Sequence, residues 1–234
     1  MVKENNFKMR IILLILLSLA NIACSQKIEN QPAVTQTIPQ QEFEPTVYQL
    51  INFFNKKNFK GINQYIQKDI GLFIVYNAST SPTMRRIEQF KSNNKIIENT
   101  IPSWVEDELL GFSISGNPKI QYEQYPTFDP CSEKVTKLGL YANPKESNID
   151  ALKIALDYYH WELKHYQFEK RPFWQEYQAI ADKIAPKTVK VVYIENFPGI
   201  LPSDEKNIFI FYLTQLDKIW YLTILDFYTM DCSA

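Results

Sequence analysis

The last third of the chain constrains the fold most. Residues 188–195 (TVKVVYIE), 207–214 (NIFIFYLT) and 218–230 (KIWYLTILDFYTM) are rich in β-branched and aromatic side chains. Runs of this length and composition favour extended strands. Asp217-Lys218 reads as the turn of a hairpin whose arms are 207–214 and 219–230. Residues 207–214 carry apolar side chains at both odd and even positions, and the last run is also mostly apolar on both faces. A strand of that kind is covered on both sides, as a central strand is. Residues 197–206 (FPGILPSDEK) read as the loop before the hairpin.

Upstream, the hydrophobic period changes from two to between three and four. Val47, Leu50, Ile51 and Phe54 predict a helix over 45–57, and Ile62, Tyr65 and Ile66 a second short one. Gly71 ends it, and LFIVY at 72–76 reads as a strand. Ser81-Pro82 predicts a helix start, with Met84, Ile87 and Phe90 as its apolar marks. Ser103 with Glu106 matches a capping box ahead of Leu109 and Leu110. Residues 119–125 and 136–141 are weaker strand candidates. Leu152, Leu156, Tyr159, Leu163 and Tyr166 stack on one stripe of a helix over 148–169. Pro172 begins another, reaching 184, and Pro186 stops it. Helices first and long strands last indicate an α+β fold with helices on one face of an antiparallel sheet.

The N-terminus supplies an address. Lys3, Lys8 and Arg10 stand against one acid, Glu4, and are followed by the apolar run IILLILLSLA at 11–20. A basic start, an apolar stretch of this length and a small residue before a cut describe a secretory signal. The run is about half of the roughly 20 residues that a spanning helix needs. Residues 25–44 (SQKIENQPAVTQTIPQQEFE) lack periodicity and read as a tether, about 25 Å long on average if unstructured. The expected organisation is a signal peptide at 1–23, an anchor and tether at 24–44, and one domain at 45–234.

Charge narrows the partners. Residues 1–23 hold three of the 25 basic and one of the 26 acidic residues, so the remainder carries a formal net charge of −3. That balance argues against a nucleic-acid partner, which demands a basic face, and against a polybasic grip on anionic lipid. Of three cysteines, Cys24 stands at the signal cut, which leaves Cys131 and Cys232. In an oxidising envelope two leftover cysteines most simply pair, with two buried free thiols as the alternative. The closed loop of about 100 residues is worth up to about 4.7 kcal/mol on the chain-entropy account.

Two resemblances follow. Residues 20–24 (Ala-Asn-Ile-Ala-Cys) resemble the lipobox of bacterial lipoproteins, with Ala23 before the cut, Cys24 as the lipidated residue and Asn21 where a larger aliphatic residue is usual. The resemblance implies a multiply acylated N-terminus, and two chains already anchor stably. Ser25 rather than Asp after the cysteine implies the outer membrane of a Gram-negative cell. Residues 50–74, with FFNKKNFKGINQYIQKDIGLFI, and 216–234, LDKIWYLTILDFYTMDCSA, resemble the NTF2-like cone shared by SnoaL-type and ketosteroid-isomerase-type domains. The closing segment also resembles the endings of uncharacterised Gram-negative lipoproteins of that fold. The resemblance implies a shape with a pocket and transfers no active-site residues. The middle of the chain, about 100 to 186, carries more helix than a minimal cone.

Candidate chemistry is sparse. His160 and His165 are five residues apart on one helix and point roughly 140° from each other, so they do not form a metal pair as i, i+4 histidines would. Gly111-Phe112-Ser113-Ile114-Ser115 lacks the final glycine of a nucleophile elbow. Ser203 with Lys206, and Lys187-Thr188, echo β-lactam-enzyme motifs in reversed order and without the closing glycine. Glu106-Asp107-Glu108 reads as a solvated helix face. No cofactor or metal site is expected. Asp226 is the candidate acid: strict alternation puts Trp220, Leu222, Ile224, Tyr228 and Met230 on its face, where a carboxyl among apolar walls could act as a base. Its plainer reading is a rim acid, solvated or paired. Trp220 and Tyr228 are the companion ligand-binding candidates. The aromatics of 158–177 are mostly core; Trp161 and Trp174, if exposed, would mark a partner or glycan surface. The expected function is non-catalytic, with a small apolar ligand or a protein partner bound by the domain. An isomerase-type enzyme using Asp226 and a structural envelope component are the alternatives.

Overall fold

The structure is a computed structural model that describes residues 40–91, 97, 101–129, 134–135, 137–166, 173–196, 206–229 and 231. All belong to one compact unit, Gln36–Ala234, and the other unit, Met1–Thr35, lies outside the described residues. Cys24, Cys131 and Cys232 also lie outside them, and with them the expected lipidation and disulfide.

The fold is mixed α+β, with five α-helices and a seven-stranded sheet among the described residues. In chain order these are α1 (Gln40–Asn55), α2 (Phe59–Ile62), β1 (Leu72–Ala78), β2 (Ser81–Ile87), α3 (Ser103–Gly111), β3 (Ile120–Gln121), β4 (Phe128–Asp129), β5 (Lys134–Val135), β6 (Gly139–Ala142), α4 (Asp150–Tyr166), α5 (Phe173–Ile184), β7 (Thr188–Asn196), β8 (Lys206–Leu216) and β9 (Ile219–Asp226). The large sheet runs β2-β1-β9-β8-β7-β6-β3, and β4 pairs with β5 apart from it. No helix among the described residues is long and apolar enough to cross a membrane.

The expected closing meander is present. β7, β8 and β9 are antiparallel neighbours, and the β8–β9 turn places Asp217 (φ 49°) and Lys218 (φ 68°) both in the left-handed region. Two such residues make the type I′ turn whose twist matches the flanking strands. The sheet as a whole is mixed rather than antiparallel. β1 returns beside β9 in parallel, pairing Phe73 with Ile224 and Val75 with Asp226, and β3 lies parallel to β6. A parallel neighbour needs a long crossover, which the chain between β1 and β9 supplies.

Alternation along the strands builds a core on each face. Leu72, Ile74 and Tyr76 of β1 join Val47, Leu50 and Phe54 of α1 on one side; Phe73 and Val75 join Leu152, Leu156 and Ile184 of α4 and α5 on the other. Helices therefore cover both faces, where the sequence predicted one. The first core is aromatic: Phe54 meets Phe209 edge-on with centroids 5.0 Å apart, and Phe112 stacks on Phe209 at 3.8 Å. Such pairs add about 0.5–1.5 kcal/mol each to their area term.

Three local expectations are corrected. Residues 81–87 form the edge strand β2, not a helix; Ala78 pairs with Ser81 across a two-residue turn. Met84 and Ile87, three apart, belong to the cores on opposite faces, as a strand requires and a helix does not. Ser-Pro opens helices and also suits an edge strand, where a missing N–H does no harm. α1 begins at Gln40 and takes in residues assigned to the tether, with Pro45 inside the helix. The cap of α3 is Pro102 and makes no side-chain cap bond, because Ser103 is already helical. At the head of β1, Gly71 has φ +73°, and a Cβ there would lie 2.8 Å from the Ile87 carbonyl oxygen, so only glycine fits.

Candidate functional site

Asp226 is the centre of a buried polar group on the α4–α5 face. It ends β9, is 1% exposed, and accepts hydrogen bonds from the Thr229 amide at 2.9 Å and the Thr229 hydroxyl at 2.6 Å. Tyr212 of β8 brings its hydroxyl to 3.3 Å from Asp226 Oδ2 and also bonds Asp150 Oδ1. Asp150 starts α4, where the helix N-terminus favours a carboxylate, and Lys190 of β7 donates to it at 2.9 Å. The Lys190 side chain is 9% exposed and the Asp150 side chain 41%, so the group meets solvent at Asp150. Tyr125 closes the far side, donating to the Lys190 carbonyl at 2.8 Å.

Burial raises the Asp226 carboxyl above its ordinary range, against the pull of the Thr229 bonds and the Lys190 charge. Burial opposes ionisation of Asp150 as well, but the Lys190 ammonium and the Tyr212 and Ala151 hydrogen bonds hold it below its usual value. Burial, then the two neighbouring acids, push the Tyr212 hydroxyl well up. The arrangement is a surface acid paired to a buried lysine, and behind them a buried acid whose pKa lies above the usual carboxylate range.

The structure does not assemble the site that strict alternation predicts around Asp226. Between Tyr212 and Leu213 the β8–β9 register shifts by one: Tyr212 faces Ile224 and Leu213 faces Leu222, leaving Thr223 as the extra residue of a bulge. One inserted residue reverses the faces. Trp220 and Leu222 accordingly sit in the α1 core, Trp220 edge-on to Phe43 at 5.0 Å, while Ile224 sits in the α4–α5 core. Tyr228 packs against that second core, past the end of β9, and Met230 lies outside the described residues. Trp220 and Asp226 thus point to opposite faces.

The other candidates make local contacts. His160 lies 3.3 Å from the Gln178 side chain, and His165 reaches the Trp161 carbonyl oxygen at 2.8 Å while stacking on that indole. Ser115 donates to Glu195, as does the Tyr193 hydroxyl at 2.5 Å. Glu106 is buried; Asp107 and Glu108 are exposed. Among the described residues, no three His, Cys, Asp or Glu are grouped to hold a metal ion. Trp161 is 44% exposed, whereas Trp174 is buried.

A cleft of about 660 Å³ lies between the edge strand β2 and the helices α4 and α5. Met84, Tyr158, Tyr159, Phe173 and Trp174 supply apolar wall, and Arg85 and Glu162 supply charge. A hydrogen bond of 2.8 Å between Ser81 and Tyr158 ties strand to helix at one end, and the Arg86–Glu176 ion pair at 3.2 Å ties β2 to α5. Tyr159 and Trp174 pack with centroids 3.5 Å apart. Trp174, one of the lining residues, buries its indole nitrogen with no partner among the described residues. A smaller cleft of about 330 Å³ lies between α1 and residues 116–118, beside Tyr48, Asn52 and Asn55. Neither cleft is lined by Asp226.

Comparison of the chain with family models, curated proteins and solved structures yields no match.

Sequence reasoning missed both the network and the cleft. Asp150, Lys190, Tyr212 and Asp226 come from four separate elements, so no spacing announces them. One signal was present: Lys190 interrupts an otherwise apolar strand, and a lysine there needs a buried partner. The cleft was hidden by the helical reading of 81–90, which left no edge strand to line it.

Proposed function

We infer that this chain is an exported lipoprotein, cut before Cys24 and anchored through it to the outer membrane of a Gram-negative envelope. Its domain follows an NTF2-like plan with two inserted helices and binds a small, largely apolar ligand without transforming it. The order of helix pair, hairpin, helix and closing antiparallel strands supports that plan, with α4 and α5 as the insertion. The observation that carries the binding reading is the aromatic cleft between β2, α4 and α5. Its volume lies in the range of small-molecule sites, about 300–1,000 Å³, and Tyr158, Tyr159, Phe173 and Trp174 give it aromatic wall. Catalysis by Asp226 is the weaker reading, since that acid is enclosed and its hydrogen-bonded path outward runs through Tyr212 to Asp150.

A thermal-shift screen of the chain against metabolites, lipids and glycans tests the binding reading. The expected result is a saturable rise in melting temperature for at least one ligand class. The rise should shrink in Ala78→Trp, which adds an indole at an exposed position lining the cleft. A flat response across the library would count against the cleft as a ligand site. Radiolabelled palmitate tests the anchor: label should enter the wild-type chain and be lost in Cys24→Ala.

A further inference from the structure

We propose that the β2–α4–α5 cleft takes a zwitterion with an apolar side chain, of the class of a short peptide or amino acid with free amino and carboxyl ends. The proposal rests on the reading of this cleft as the ligand site and adds what the ligand must carry.

Two neighbouring arginines show which charge is spent on the fold. Arg86 is fully engaged: it donates to the Ile70 carbonyl at 2.6 Å and the Asp69 carbonyl at 3.0 Å, and pairs with Glu176. Arg85 makes no ion pair among the described residues, and its one hydrogen bond, at 3.3 Å, goes to the carbonyl of adjacent Met84. That bond curls the guanidinium along the open edge of β2, where the cleft lies. Glu162, on the α4 wall, likewise has no hydrogen bond or ion pair among the described residues. The lining of the cleft therefore includes one uncommitted cation and one uncommitted anion, together with aromatic surface.

Charge complementarity selects among occupants. A neutral sugar would use the aromatic walls and leave both charges unanswered. A fatty acid would meet Arg85 but set its chain against Glu162. A zwitterion answers both, with its carboxylate on the guanidinium and its ammonium on Glu162, and places an apolar side chain against Tyr159, Phe173 and Trp174. Charge-assisted hydrogen bonds of this kind are roughly twice as strong as neutral ones, and a guanidinium holds a carboxylate bidentately.

Titration calorimetry on the full lipidated chain in detergent tests this with the dipeptide Leu-Phe, its N-acetyl form, its C-terminal amide, chitobiose and octanoate. Leu-Phe is expected to bind, and each blocked form to bind about tenfold more weakly. Arg85→Gln should erase the difference between free acid and amide; Glu162→Gln should erase that between free and acetylated amine. Neither side chain is committed to an ion pair, so both variants should keep the wild-type melting temperature. Equal binding of free and blocked peptides overturns the proposal. Binding of chitobiose or octanoate without Leu-Phe overturns it too, while leaving the cleft as a ligand site. Heat from none of the five overturns it and, joined to a flat thermal-shift screen, removes the cleft reading as well.

Discussion

The Tyr212 hydroxyl lies 3.3 Å from Asp226 Oδ2 while also bonding Asp150 Oδ1. A phenol has one proton to give. If it goes to the ionised Asp150, the contact with Asp226 is attractive only when Asp226 supplies the second proton. The geometry and the direction in which burial moves the Asp226 carboxyl agree.

The pH dependence follows. Asp226 has a folded pKa above its unfolded one, so its contribution to stability is fully present below the unfolded value and is lost as pH rises through the folded value. Asp150, held low by Lys190 and Tyr212, runs the opposite way and loses its contribution as pH falls. Asp226→Asn keeps a donor and an acceptor in place and removes one titration. The melting temperature of the variant relative to wild type should therefore rise as pH climbs from the unfolded value toward the folded one, and level off above it. A difference that stays level across that range would mean Asp226 titrates alike in both states.

Tyr212→Phe keeps the buried ring and deletes the hydroxyl shared by the two acids. Asp150 retains Lys190 and Asp226 retains Thr229, so no charge is stranded. The expected loss is about 1–3 kcal/mol, the usual cost of breaking a buried hydrogen bond to a charged group. It should be read as a lower urea midpoint with an unchanged slope. A midpoint within error of wild type would show that the hydroxyl bridge contributes nothing net.

The hairpin turn offers a gain. Lys218 sits at φ 68° with a Cβ, at a turn position where glycine is preferred. Asp217 tolerates its own φ of 49° better, as aspartate does. Lys218→Gly should stabilise the domain by about 1 kcal/mol, the penalty of a left-handed side-chain-bearing residue. Thermal unfolding of the two chains side by side measures it, and a lower melting temperature for the variant would refute it.

These relationships differ in how well the chain advertised them. The β7–β9 meander was legible because long β-branched runs around Asp217-Lys218 have few other ways to fold. The α4 and α5 helices were legible from their apolar stripes. β2 was not, because Ser-Pro followed by apolar residues at three-residue steps fits a helix start and an edge strand equally; the pairing of Ala78 with Ser81 decides it. Parity along β9 failed at Thr223, since a bulge depends on the partner strand and leaves no local mark. The acid that stood out in sequence, Asp226, bonds Thr229 three residues on and Tyr212 of the neighbouring strand, while Asp150 and Lys190 behind Tyr212 come from distant elements that no local pattern announces.

The bulge itself is held by a relay of hydroxyls. Thr223 lies 2.8 Å from Thr214, Thr214 lies 2.7 Å from Thr188, and Thr188 donates to the Ile184 carbonyl at 2.7 Å. All three threonines are buried. Each hydroxyl has one proton, so the relay runs in one direction, from the bulged residue to the last turn of α5. Thr214→Val removes the middle link at nearly constant volume. Thr223 then keeps only a bond of 3.4 Å to the Tyr212 carbonyl, and Thr188 loses its incoming donor. The expected loss is about 1–3 kcal/mol, the cost of leaving a buried hydroxyl poorly satisfied. Hydrogen exchange should locate it: amides of β9 around Thr223 and of the end of α5 should lose protection together, while those of α1 keep theirs. Uniform loss across the domain would mean that the relay adds stability but does not pin the bulge to the helix.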